Sequence, residues 1–237
     1  MNTIPSVVAV EFSSGSMART FTRVMPPTIH STCTTIDPLR QTDKVSSHSD
    51  IEARAVFWAE YLSDQEIQPN TVLAYCTGSP FALALARHID AKQIVLFDPV
   101  HPTTSDVQEA FTELVAGVDS NVNLNALPCL SAMTTSDGII FARDYLTEVT
   151  KRADLGLPDG IVEQLIAKQL SWLGYTVAAS KAPTIENKEL DITAILSNGV
   201  CTDIPSNQRE SIPVSADRLL SAPETTTILA KLLGTTA

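Results

Sequence analysis

The chain has 237 residues, of which 44% are hydrophobic and 18% charged, enough apolar material for one sizeable core and unlike a disordered chain. Its formal net charge is -11 and its isoelectric point lies near 4.7. An acidic surface repels phosphate backbones and anionic bilayers, so neither nucleic acid nor a membrane is an expected partner. The start, Met1-Asn2-Thr3-Ile4-Pro5, lacks the basic residues and apolar run of a secretory leader. The longest apolar stretches, around Val72–Leu73 and Phe81–Ala86, are cut by polar residues, so a cytoplasmic setting is expected.

Ser6 to Phe12 is a β-type apolar run that ends in the turn cluster Ser13-Ser14-Gly15-Ser16. A short helix is expected over Met17–Val24, closed by Pro26-Pro27, and a short strand near His30–Thr35 in an otherwise loop-like region. Asp50 suits a helix N-cap, and Ile51, Ala55, Trp58, Ala59 and Leu62 follow at helical spacing up to Pro69. Thr71–Tyr75 reads as a buried strand that turns through Cys76-Thr77-Gly78-Ser79 into a helix over Pro80–Ile89. Gln93–Phe97 is a second fully apolar strand, ended by Asp98-Pro99. Runs apolar on both faces and joined by a helix predict a parallel sheet covered on both sides.

Residues 103–182 differ. Helical patterns at Asp106–Val118, Ile139–Arg152 and Gly160–Ala179 have no strong strand between them, which predicts a helical insertion. Strands are expected again at Asp191–Leu196 and Ile212-Pro213-Val214, and a closing helix at Pro223–Leu233. The chain is expected to form a single α/β domain over 1–237.

The chemistry concentrates in Ala74-Tyr75-Cys76-Thr77-Gly78. A nucleophile elbow has the pattern small-x-nucleophile-x-small between a strand and a helix, because bulk two residues to either side would collide with the turn. The helix that follows aims its positive end at the nucleophile, which favours a thiolate and helps hold an oxyanion. Pro80 suits a first helical turn, where no N–H is needed. The other cysteines (Cys33, Cys129 and Cys201) are widely spaced, without CxxC or zinc spacing, so no metal and no cofactor are expected. There is no GxGxxG, P-loop, HExxH or EF-hand loop either.

With these motifs the chain resembles the α/β-hydrolase-fold thioesterases of polyketide and nonribosomal peptide synthesis, especially the small stand-alone ones. Val8 to Phe21 is similar to their opening strand and Gly-rich oxyanion loop, and Thr71 to Ile89 to their elbow. Ile94 to Pro99 resembles the strand whose end holds the acid in some members, and the helical block of about 103–182 resembles their lid. Ser215 to Leu220 resembles the segment that carries the catalytic histidine. The resemblance implies an α/β-hydrolase fold, Cys76 as nucleophile, oxyanion donors from the backbone of Thr77 and one of Ser13 or Ser14, and an acyl or peptidyl carrier-protein thioester as partner.

Two residues depart from that family. Cys76 replaces the usual serine, and Arg218 falls where the histidine stands. A guanidinium stays protonated, so Arg218 is no general base, although it could hold a carboxylate or stabilise a thiolate. Of the four histidines, His101 is the best substitute base, since it follows Asp98 in the loop expected beside the elbow; His30, His48 and His88 read as surface residues. Asp98 and Asp203 compete for the acid role, and the resemblance favours Asp98. An S-acyl enzyme suits transfer to a thiol or an amine, or cyclisation, better than hydrolysis. The alternatives are a non-catalytic thioesterase-like module that binds a carrier protein or a biosynthetic intermediate, and a non-covalent cyclase.

Overall fold

The computed structural model describes residues 6–12, 21, 25–40, 42, 44–119, 121–153, 156, 158–183 and 190–234. Six strands form one parallel sheet: β1 (Val7–Val10), β2 (Cys33–Ile36), β3 (Thr71–Tyr75), β4 (Gln93–Phe97), β5 (Asp191–Leu196) and β6 (Gln208–Ser211). Their order is β2-β1-β3-β4-β5-β6. The chain therefore leaves β1 for one side of the sheet, then returns to β3 and builds toward the other. Between β1 and β3 lies the point where open α/β sheets place their ligands, at the carboxyl ends of the strands.

The helices are α1 (Pro27–His30), α2 (Ile51–Asp64), α3 (Ser79–His88), α4 (Thr104–Val118), α5 (Thr135–Ala153), α6 (Asp159–Ser180) and α7 (Pro223–Leu232). Asp50 caps α2 as expected, its Oδ1 accepting from Ala53 N at 2.7 Å. α4 opens with a capping box between Thr103 and Asp106. Among the described residues no helix is long and apolar enough to cross a membrane.

The chain divides into two compact units. The first takes in 1–38, 54–101 and 183–237 and holds the sheet. One face of the sheet buries Val7, Ala9, Leu73, Val95, Phe97 and Ile195 with Leu229 and Leu233 at the closing helix. The alternate residues Val8, Val10, Val72, Ala74, Ile94 and Leu96 point the other way and are equally buried. This two-sided burial is why β1, β3 and β4 read as continuous apolar runs. Arg54 of α2 is also buried, at 1% exposure, and donates to Pro38 O at 2.7 Å.

The second unit takes in 39–53 and 102–182 and holds α4, α5 and α6. Its own core contains Val107, Phe111, Val115, Leu146, Leu173 and Val177. Its residues 102–182, with α4, α5 and α6, lie in sequence between β4 and β5, and its residues 39–53 between β2 and β3.

Three expectations are corrected or fall outside the described residues. The helix expected over Met17–Val24 lies outside them, apart from Phe21. The early strand is Cys33–Ile36, shifted toward the C-terminus from His30–Thr35, because Pro27–His30 forms a single helical turn first. The last strand is Gln208–Ser211, not Ile212-Pro213-Val214. All four of its residues are exposed, so it carries no apolar pattern. Ile212 N still donates to Leu196 O, but Pro213 has no N–H and ends the ladder.

Candidate active site

β3 ends at Tyr75, Cys76–Gly78 make one 3-10 turn, and α3 starts at Ser79. Cys76 has φ 51, a left-handed conformation in a residue other than glycine. Such a residue costs about 1–2 kcal/mol and persists where its surroundings hold it. Ser79 holds it here: its Oγ donates to Cys76 O at 2.7 Å. The small neighbours do what the elbow pattern requires. A Cβ added to Gly78 would lie 3.6 Å from Ala74 Cβ and 3.5 Å from both Val10 Cγ1 and the Phe12 ring. An alanine would just fit there; anything larger would press on β1. Cys76 itself is partly buried rather than sealed in the core.

Asp98 sits one strand away. Tyr75 pairs with Phe97, so Cys76 and Asp98 directly follow paired positions, and Asp98 is also left-handed, with φ 41. Its side chain is buried. Oδ1 accepts from Ser197 N at 2.7 Å, which ties the end of β4 to the end of β5. Oδ2 is buried without a hydrogen-bond partner among the described residues. The next loop returns to the elbow, where Val100 N donates to Cys76 O at 3.2 Å. His101, half-buried, is the following residue. Cys76, Asp98 and the His101 loop thus share one sheet edge. Asp98 does not bond His101, because Ser197 takes one oxygen and the other has no partner.

No family model matches the sequence, and no curated protein matches it. Solved structures do. The RedJ thioesterase from the prodiginine biosynthetic pathway in Streptomyces coelicolor matches with TM-score 0.51 at 12% identity, over 99% of this chain and 91% of that one. The Vlm2 thioesterase domain, solved with a dodecadepsipeptide, matches with TM-score 0.54 at 14% identity, over 98% of this chain and 94% of that one. An enol-lactonase from Burkholderia xenovorans LB400 matches with TM-score 0.55 at 10% identity, over 97% of this chain and 92% of that one. This chain has the α/β-hydrolase fold. At these identities the likeness is one of fold, and an α/β-hydrolase scaffold that carries both thioesterases and a lactonase leaves the chemistry to be read from the site.

The remaining candidates scatter over this α/β-hydrolase fold. Thr77 sits in the 3-10 turn beside Cys76. Ser13 and Ser14 lie outside the described residues. Arg218 is exposed, on the 3-10 turn Ala216–Ser221, and makes no ion pair among the described residues. That turn is nevertheless anchored beside the elbow, since Tyr75 Oη donates to Ala216 O at 3.2 Å. Asp203 is exposed in the loop between β5 and β6, unlike buried Asp98. His30 and His88 are exposed, and His48 is half-buried. Among the described residues no group of three or more His, Cys, Asp or Glu could hold a metal ion.

Sequence reasoning passed over four residues that shape this edge. Tyr75 occupies the unconstrained position of the elbow pattern, so nothing in that pattern marks it. Ser79 and Ser197 act on Cys76 and Asp98 through bonds that only the folded turns bring about. Glu11 follows β1 and accepts from Phe21 N. Burial raises the Glu11 carboxyl pKa, and the bond from Phe21 opposes that rise. Cys33 on β2 is pushed up to about 12, first by burial and then by the Glu11 charge, which leaves it a poor nucleophile.

Proposed function

We propose that this chain handles acyl thioesters, with Cys76 as the nucleophile. The observation that carries the reading is the left-handed Cys76, at φ 51, between β3 and α3. A strained residue at a strand-to-helix turn puts its side chain at the mouth of the fold, in front of the helix N-terminus. The thiolate attacks the carbonyl carbon of a thioester carried on an acyl or peptidyl carrier protein. Backbone N–H groups, that of Thr77 among them, hold the oxyanion. The carrier's sulfur leaves and takes up the proton that Cys76 gave up. An acceptor amine, thiol or hydroxyl then attacks the S-acyl group, and its proton ends on the Cys76 sulfur. A thiol needs a base less than a serine does, which suits a site with Arg218 where the family has its histidine. His101 is the proposed proton shuttle and Asp98 the proposed acid. Residues of about 103–182 are the proposed lid.

The test is intact mass after incubation with an acyl N-acetylcysteamine thioester. It is best run in a Cys129→Ser, Cys201→Ser background, because both thiols are exposed. We expect one acyl adduct, absent in Cys76→Ala. No adduct in the background protein overturns the reading. Two observations favour a second reading, a non-catalytic module that binds carrier-bound or free intermediates: Asp98 has no bond to His101, and Arg218 is exposed. Carrier binding that is equal in the background protein and in Cys76→Ala, with no adduct in either, supports that module.

A further inference from the structure

The helical unit has a cavity of its own, about 490 Å³ in volume. That lies within the range of roughly 300–1,000 Å³ typical of small-molecule sites. Its walls are contributed by Leu114 of α4, Leu146 of α5, and Val162, Ile166 and Trp172 of α6. Leu165 lines it too and is 47% exposed, as is Ile161 one turn earlier on α6. These two side chains carry the apolar wall out to the rim, so a ligand with a hydrocarbon part fits there, and its polar end has still to be named.

The charges name it. Glu113 is the one ionisable residue in the lining among the described residues, and it is exposed. The whole chain carries a formal net charge of -11. A fatty carboxylate would meet like charge at the rim and from the rest of the protein, whereas an ammonium meets its complement. We propose that this cavity binds an aliphatic primary amine, its hydrocarbon chain against α4, α5 and α6 and its ammonium at Glu113. The inference stands on the helical unit alone. An amine is also an acceptor class suited to an S-acyl enzyme, and that link alone rests on the reading of Cys76.

Calorimetric titration of the full chain with linear amines of increasing length, and with the matching alcohols and carboxylates, tests it below their micelle concentrations. Each added methylene should tighten binding about fourfold until the cavity is filled. The amine should bind about two- to fivefold tighter than its alcohol, as an exposed ion pair allows, and the carboxylate weakest. Glu113→Gln should abolish the difference between amine and alcohol and keep the dependence on chain length. Gly117 also lines the cavity, and a Cβ there meets nothing within 4 Å, so Gly117→Phe should fold and block every chain. Affinity without dependence on chain length, carboxylates binding as well as amines, or binding untouched by Gly117→Phe each overturns the proposal. So does a concentration-dependent dimer that competes with the amine, since a second copy would then be the occupant. Cys76→Ala should bind amines like the wild type, so loss of acyl chemistry and loss of amine binding remain separate results.

Discussion

At the scale of single residues, the site is a strained pair. Cys76 and Asp98 are both left-handed, at φ 51 and 41, immediately after two adjacent strands. Strain of this kind predicts an inversion of the usual order of glycine and alanine. In ordinary backbone, alanine is more stable than glycine by about 0.4–1 kcal/mol, because it restricts the unfolded chain. At Cys76 the left-handed conformation costs any residue with a Cβ about 1–2 kcal/mol. Cys76→Gly should therefore be at least as stable as Cys76→Ala, by up to about 1 kcal/mol, in urea unfolding. If alanine is clearly the more stable of the two, the turn holds no strain. The small residues at 74 and 78 were legible in the sequence because their role is local. The environment of Asp98 was not: its carboxylate is held by Ser197, 99 residues away, and no pattern of spacing reports such a partner.

At the scale of elements, legibility followed burial. β3, β4 and β5 coincide with the expected runs because both faces are packed, so nearly all their central positions are apolar. β6 was missed because its exposed residues, Gln208-Arg209-Glu210-Ser211, carry no apolar signal. Charges on an edge strand discourage pairing with other chains, so the feature that hid the strand also protects it. α6 hides a different constraint. A Cβ on Gly174 would lie 2.2 Å from Ser47 O, a backbone atom with little room to move. Helix propensity favours alanine over glycine by about 0.8–1 kcal/mol, yet overpacking costs roughly 1–3 kcal/mol or more. The clash should win: Gly174→Ala lowers stability in thermal unfolding. Gly160→Ala on the same helix, where nothing lies within 4 Å, should be neutral or mildly stabilising. Equal behaviour of the two variants would show that the segment around Ser47 does not touch α6 in solution.

At the scale of the molecule, two buried clusters among the described residues have no residue in common. Cys76 hangs from β3 and α3, in the unit that holds the sheet, whereas the apolar cavity belongs wholly to α4, α5 and α6. Phe111 lies at the centre of the helical core, fully buried, with ring centroids 6.2 Å from Phe141 and 6.0 Å from Tyr145. Phe111→Ala should cost about 3–5 kcal/mol within that unit. Because the sheet's core lacks Phe111 and its neighbours, the loss should show as local opening. Hydrogen exchange should then speed up about a hundredfold or more in α4, α5 and α6, while amides of β3 and β4 keep their protection. On the functional side, the variant should still form the Cys76 acyl adduct and should lose the aliphatic amine. Uniform acceleration through β3 and β4 would mean instead that the two cores melt as one, and the adduct and the amine would then be lost together.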